Sequence, residues 1–158
     1  MGARRKGREL AVQALYQIEL RGTVSLVDSL HMFWEHCEGG SRAKEFAAAL
    51  VTGVGEQQQQ IDELITASIE HWRFERLSSV DLNILRVATY ELLQTPPTPT
   101  SVVLDEAIEI ARRFGTAESS VFVNGVLDQI AQRLGRKEAP KHQGPDPGAP
   151  EGGAPDDG

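Results

Sequence analysis

Residues 78–93 read SSVDLNILRVATYELL, and this stretch indicates the fold class most directly. Ser78 and Ser79 are residues that cap helix N-termini, because a hydroxyl oxygen accepts a hydrogen bond from a backbone N–H of the first turn. Apolar side chains then recur every three or four residues, which is the spacing of one helix face. The apolar positions are Val80, Ile84, Leu85, Val87, Ala88 and Leu92. We therefore predict an amphipathic helix that ends before the turn sequence TPPTPT at 95–100.

The same helical spacing continues on both sides of this stretch. Before it, apolar stripes lie within residues 10–18, 26–37, 46–54 and 61–72. After it, we predict a helix from about Thr100 or Ser101 to Gly115, and a last helix from about Ala117 to Leu134 with Gly135 as its stop and Gly125 as a site of close helix contact. No window shows the sustained alternation of a strand. The sequence thus predicts an all-α domain of about seven helices packed as bundles.

The two ends of the chain differ from the part between them. Residues 139–158, APKHQGPDPGAPEGGAPDDG, contain no aromatic or branched aliphatic side chain. Such a segment cannot bury enough apolar area to offset the entropy lost on ordering. We predict one folded domain over residues 1–137 and a disordered, Pro/Gly-rich acidic tail over residues 138–158.

The sequence also bears on where the protein acts. No run approaches the roughly 18 consecutive apolar residues of a membrane span, and the N-terminus lacks the apolar run of a signal peptide. Cys37 is the only cysteine, so an internal disulfide is excluded. We expect a cytoplasmic protein with no membrane association.

Enzyme and metal chemistry find little support. The four histidines, His31, His36, His71 and His142, show none of the usual metal-ligand spacings. Asp105, Glu106 and Glu109 could be imagined as a general acid and base, but they fit better as helix-dipole and surface charges. We expect no catalytic residues, no metal and no cofactor.

The N-terminal segment carries the strongest positive charge of a chain whose net charge is −7. Arg4, Arg5, Lys6 and Arg8 occur within residues 1–8, which contain no acid. Arginine suits RNA because its planar fork donates two parallel hydrogen bonds to phosphate, and the ring of Tyr16 could stack on a base. Composition alone leaves open whether this is an RNA-binding arm or a solvated terminus.

Four stretches together carry a resemblance to a known family. They are ARRKGRELAVQALYQ (3–17), RLSSVDLNILRVATYEL (76–92), LDEAIEIARRFG (104–115) and SSVFVNGVLDQI (119–130). In order and spacing they resemble the transcription antitermination factors of the NusB family, over about residues 3–136. The resemblance implies two three-helix sub-bundles, about residues 1–75 and 76–137. It also implies cooperative binding of single-stranded boxA RNA with the small-subunit ribosomal protein NusE, within an antitermination complex on RNA polymerase.

The resemblance also assigns roles to individual residues. It places Arg4, Arg5, Lys6 and Arg8 in the arginine-rich RNA-binding segment, with Tyr16 and Phe122 as further RNA contacts. Phe122 fits core packing as well. For the NusE contact it suggests three acidic positions, each of which could equally be an ordinary solvated carboxylate. They are Glu75, Asp81 and Glu118.

Two positions depart from the family pattern, and other functions stay open. Gly7 stands where the family commonly has Ala, which should loosen the basic helix, and Asp105 stands where it commonly has Asn, which could change a cap hydrogen bond.

The alternative functions are a protein-interaction helical bundle and an accessory RNA-binding module of an rRNA-modifying system. The sequence leaves monomer and homodimer open.

Overall fold

The computed structural model describes residues 2–21, 31, 33–69, 74–94 and 98–136. Six α-helices lie within these ranges, together with one 3-10 turn at Phe74–Arg76 and helical residues at 33–36. The helices are α1 (Ala3–Arg21), α2 (Ser41–Glu56), α3 (Gln58–Ser68), α4 (Ser79–Leu93), α5 (Thr100–Phe114) and α6 (Ser119–Arg133). No strand occurs in the described part of the chain, so the predicted all-α class is confirmed. The predicted tail and the stripe at 26–30 lie outside the described residues.

Helix α4 is the central element of the fold. Its N-terminus is capped as predicted, since the Ser78 hydroxyl oxygen accepts a hydrogen bond of 3.1 Å from the backbone N–H of Asp81. Buried residues occur all round the helix, which is typical of a helix enclosed by neighbours. It packs against each of the other five helices. Helix α4 therefore connects the N-terminal and C-terminal halves of the domain.

The apolar side chains form one continuous core. It includes buried residues from α1 to α6, and its largest fully buried side chains are Leu10, Ile61, Ile65, Ile84, Leu85, Leu92, Leu127 and Ile130. Full burial of one such side chain contributes about 1.5–3 kcal/mol. Because the core crosses from one half to the other, the boundary between two sub-bundles near residue 75 stays a prediction.

Hydrogen bonds at the end of α6 connect it to the end of α4 and to the segment after it. Gly135 has φ +68°, its N–H donates to Gln132 O, and the N–H of Arg136 donates to Ala131 O, which together form a Schellman motif. The Arg136 guanidinium then donates to the carbonyls of Leu92 and Thr98. The predicted stop at Gly135 is confirmed, and Arg136 joins it to the end of α4.

Three positions differ from what the sequence suggests. Gly125 is exposed and has open space where a side chain would be, so it is not a site of close helix contact. Asp105 lies within α5 rather than at its cap, which is Pro99. Gly7 is buried inside α1, and a Cβ there would lie 2.7 Å from Phe46 Cδ2 and 3.0 Å from the Ala43 carbonyl oxygen. Gly7 therefore permits close packing of α1 on α2, whereas its low helix propensity predicts only a looser helix.

None of the described helices is long and apolar enough to cross a bilayer.

Candidate nucleic-acid interface

The basic segment forms the first turns of α1. Helix α1 begins at Ala3, so Arg4, Arg5, Lys6 and Arg8 are all helical residues. No acidic residue occurs in the first turn. Positive side chains at this end oppose the helix dipole, which costs a few tenths of a kcal/mol each at an exposed site. The rest of the structure has to stabilise this concentration of charge.

Arg8 points into the protein. Its Nε donates to Glu91 Oε2 at 2.7 Å and its Nη2 to Glu91 Oε1 at 2.8 Å. Both side chains are only 5% exposed. This bidentate pair joins α1 to α4 and satisfies two charges that would otherwise be buried without a partner. Direct contact of Arg8 with RNA, as the sequence predicts, would require this ion pair to open.

Arg5 forms a second bidentate pair, closer to the surface. Its Nε donates to Glu106 Oε1 at 2.8 Å and its Nη2 to Glu106 Oε2 at 2.7 Å. The hydrogen bond to Arg5 lowers the pKa of Glu106 below its usual range, and the same contact raises the pKa of Arg5. About a third of the Arg5 side chain stays exposed. A phosphate can therefore bind the Nε edge of Arg5 only in competition with Glu106.

A third ion pair ties α1 to α5. Arg113 Nη1 donates to Glu9 Oε2 at 3.2 Å, with Glu9 buried and Arg113 largely exposed. The three pairs hold the basic end of α1 against α4 and α5. Sequence reasoning missed them because their partners are 83 to 104 residues apart, and no local pattern indicates such contacts.

Arg4 and Lys6 lie differently from Arg5 and Arg8. Arg4 is exposed, and its guanidinium carbon lies 5.4 Å from the centroid of the Phe46 ring. Lys6 is half-buried. Arg4 lines an open groove between the starts of α1 and α2, together with Gly2, Ala3, Arg42, Glu45 and Phe46. From the sequence Phe46 is only the first residue of an apolar stripe, and no pattern marks Arg42, although both stand in the first turns of α2.

The predicted aromatic contacts lie on two helices. Tyr16 is half-buried on α1, about 18 Å along the helix axis from Arg4 at 1.5 Å per residue. Phe122 on α6 is half-buried and packs against the hydrophobic core. The burial of Phe122 thus supports the core-packing interpretation, while the remaining part of its ring is accessible to a ligand.

The three carboxylates predicted for the protein partner belong to three elements. Glu75 is exposed in the 3-10 turn, and Glu118 is exposed directly before α6. Asp81 is half-buried in the first turn of α4, and its Oδ1 is buried with no hydrogen-bond partner among the described residues. All three therefore stand at or near the start of a helical element.

Two of the three carboxylates considered for catalysis form ion pairs with arginines. Glu106 accepts from Arg5, and Glu109 accepts from Arg112 at 2.7 Å. Within the described ranges there is no cluster of three or more His, Cys, Asp or Glu residues that could hold a metal ion.

This chain is similar in sequence to a family of known proteins. The family model described as the NusB family matches residues 5–132. The transcription antitermination protein NusB of Sorangium cellulosum is 44% identical over 136 residues, which cover 86% of this chain and 96% of that protein.

Solved structures agree with the sequence comparison. The structure of T. maritima NusB matches with a TM-score of 0.73 and 42% identity, covering 89% of this chain and 95% of that one. A structure of the antitermination factors NusB and NusE in complex with dsRNA shares the fold, with a TM-score of 0.71 at 23% identity over 83% of this chain and 97% of that one. A family model and a relative that both extend over most of the described helices leave one conclusion, that this chain belongs to the NusB family.

Proposed function

We propose that this protein binds boxA RNA of nascent ribosomal transcripts together with NusE, and that the assembly modifies elongation by RNA polymerase in the cytoplasm. The observation that carries the proposal is the basic start of α1, where Arg4 lies exposed beside an aromatic ring in a chain of the NusB family. Such a surface offers a single-stranded RNA both phosphate ligands and a stacking face.

The basic residues contribute in different ways to this surface. Arg4 and Lys6 contact phosphates directly. Arg5 does so by exchanging Glu106 for phosphate, and Arg8 supports the helix from inside through Glu91. Tyr16 and the accessible part of Phe122 provide further base contacts. With two or three phosphates engaged, the salt slope of binding to a single strand should be about −1.5 to −2.

NusE is the proposed partner of three carboxylates on separate helical elements. A structure of the same fold contains NusB with NusE and dsRNA, which supports the same pairing here. Glu75, Asp81 and Glu118 offer a basic ribosomal protein negative charge, and complementary charge favours association and orientation. If NusE extends the RNA-binding surface, the two proteins bind RNA with positive coupling and no catalysis is needed.

The test is a titration of labelled boxA RNA and a scrambled RNA, with and without NusE. We expect boxA to bind more tightly, NusE to strengthen the binding, and Arg4→Ala to weaken it. Arg112→Ala is the matched control, because Arg112 is an exposed arginine that pairs with its helix neighbour Glu109. Equal, weak binding of both RNAs with unchanged NusE binding would instead support the protein-interaction bundle.

A further inference from the structure

The groove between the starts of α1 and α2 has the composition of a nucleotide site. It is lined by Gly2, Ala3, Arg4, Arg42, Glu45 and Phe46 and encloses about 560 Å³. This volume lies within the range of about 300–1,000 Å³ that is usual for small-ligand sites. The groove is open to solvent, so an RNA nucleotide can reach it. We call it the Arg42 groove.

The two arginines of the groove are not paired with a carboxylate. Among the described residues neither Arg4 nor Arg42 forms an ion pair, whereas Arg5 and Arg8 each hold a carboxylate through Nε and Nη2. A guanidinium that no carboxylate occupies can donate its parallel N–H groups to a phosphate. The cationic side chains best placed for RNA therefore include Arg42, which lies outside the basic segment of α1.

Phe46 supplies the aromatic face, and its position is fixed by packing. The ring lies against the backbone of Gly7, where a Cβ would approach Phe46 Cδ2 to 2.7 Å. The guanidinium carbons of Arg4 and Arg8 each lie 5.4 Å from the ring centroid. A ring held in this way loses little conformational freedom when a base stacks on it, and the exposed Arg4 guanidinium has to move off the ring to make room for the base.

We propose that the Arg42 groove binds one nucleotide of the single-stranded RNA, with the phosphate between Arg4 and Arg42 and the base against Phe46. The inference rests on the proposed RNA-binding function and adds a subsite on α2 to it. Glu45 in the same groove repels phosphate. Removing the charge of Glu45 should therefore strengthen RNA binding, whereas removing the charge of Arg42 should weaken it.

The first experiment measures the affinity of the full chain with NusE for labelled boxA RNA at several salt concentrations. We expect Arg42→Ala to weaken binding about threefold to tenfold and to reduce the salt slope by up to about 0.7, the share of one phosphate, since Arg4 still contacts the same phosphate. Glu45→Gln should strengthen binding, and Arg112→Ala should leave it unchanged. Phe46→Leu, which keeps apolar volume but removes the ring, should weaken binding about fivefold or more.

The second measurement locates the base. RNA containing 5-bromouridine is irradiated on the protein, and we expect cross-linking at Phe46 within the tryptic peptide of residues 45–73, assigned to the residue by fragmentation mass spectrometry because the peptide also contains His71 and Trp72. If Arg4→Ala weakens binding while Arg42→Ala does not and Phe46 stays unlabelled, the groove proposal is wrong and the proposed function stands. If the parent protein with NusE does not distinguish boxA from scrambled RNA, the proposed function itself fails.

Discussion

Arg8 and Glu91 form a buried bidentate ion pair that joins the basic start of α1 to the central helix α4. The pair places an arginine of the predicted RNA-binding segment in the protein interior. Burial of two charges is offset only when their hydrogen bonds are well formed, and here two bonds of 2.7 and 2.8 Å meet that requirement. In the proposed function, Arg8 therefore supports the RNA-binding surface from inside by holding its helix in place.

Arg8→Ala should destabilise the protein by about 3–5 kcal/mol, because it leaves the Glu91 carboxylate buried without its partner. Urea denaturation followed by circular dichroism measures the loss. The double variant Arg8→Met with Glu91→Leu removes both charges at similar volume and should recover most of it. An Arg8→Ala protein with parental stability but reduced RNA affinity would show that Arg8 contacts RNA directly.

Gly53→Ala should destabilise the protein by about 1–3 kcal/mol, as overpacking of a well-packed contact does. A Cβ on Gly53 of α2 would collide with the ring and hydroxyl of Tyr90 on α4. Gly55→Ala is the matched control in the same helix, since it meets open space and gains up to about 1 kcal/mol of helix propensity. The difference between the urea midpoints of the two variants checks the prediction. Equal midpoints would contradict the close contact of Gly53 with Tyr90.

Sequence patterns predicted the helices because helix formation depends on local spacing and local caps. The Ser78 cap, the start of α5 at Thr100 and the stop at Gly135 all follow from side chains within a few residues. The interior position of Arg8 depends on Glu91, far along the chain, and no periodicity indicates that contact.

The Arg42 groove was missed for a related reason. Arg42 and Phe46 become neighbours of Arg4 only when α1 packs on α2 through Gly7. A sequence pattern gives the face of each helix but not which faces meet.

The Arg5–Glu106 pair predicts a dependence of stability on pH. The folded pKa of Glu106 is lowered, first by its hydrogen bond to Arg5, so the folded protein binds this proton less readily than the unfolded chain. Its contribution is complete above the ordinary value of 4.5 and is lost as the pH falls through the lowered folded pKa. The Tm difference between the parent and Glu106→Gln should therefore shrink from pH 7 to pH 3. A difference that is constant over this range would contradict the pairing.

Glu106→Gln should also strengthen RNA binding, because Glu106 competes with phosphate for the Arg5 fork. The measurement is the Kd for boxA RNA in the presence of NusE, for which we expect a decrease of a few-fold at low salt. Glu109→Gln changes the net charge equally on the same helix but leaves the Arg5 pair intact, so it should have a much smaller effect. In an Arg5→Ala background the gain from Glu106→Gln should disappear, since no fork remains to be released. Equal effects of Glu106→Gln and Glu109→Gln would instead assign the gain to long-range charge, and Arg5 would then have no phosphate contact of its own.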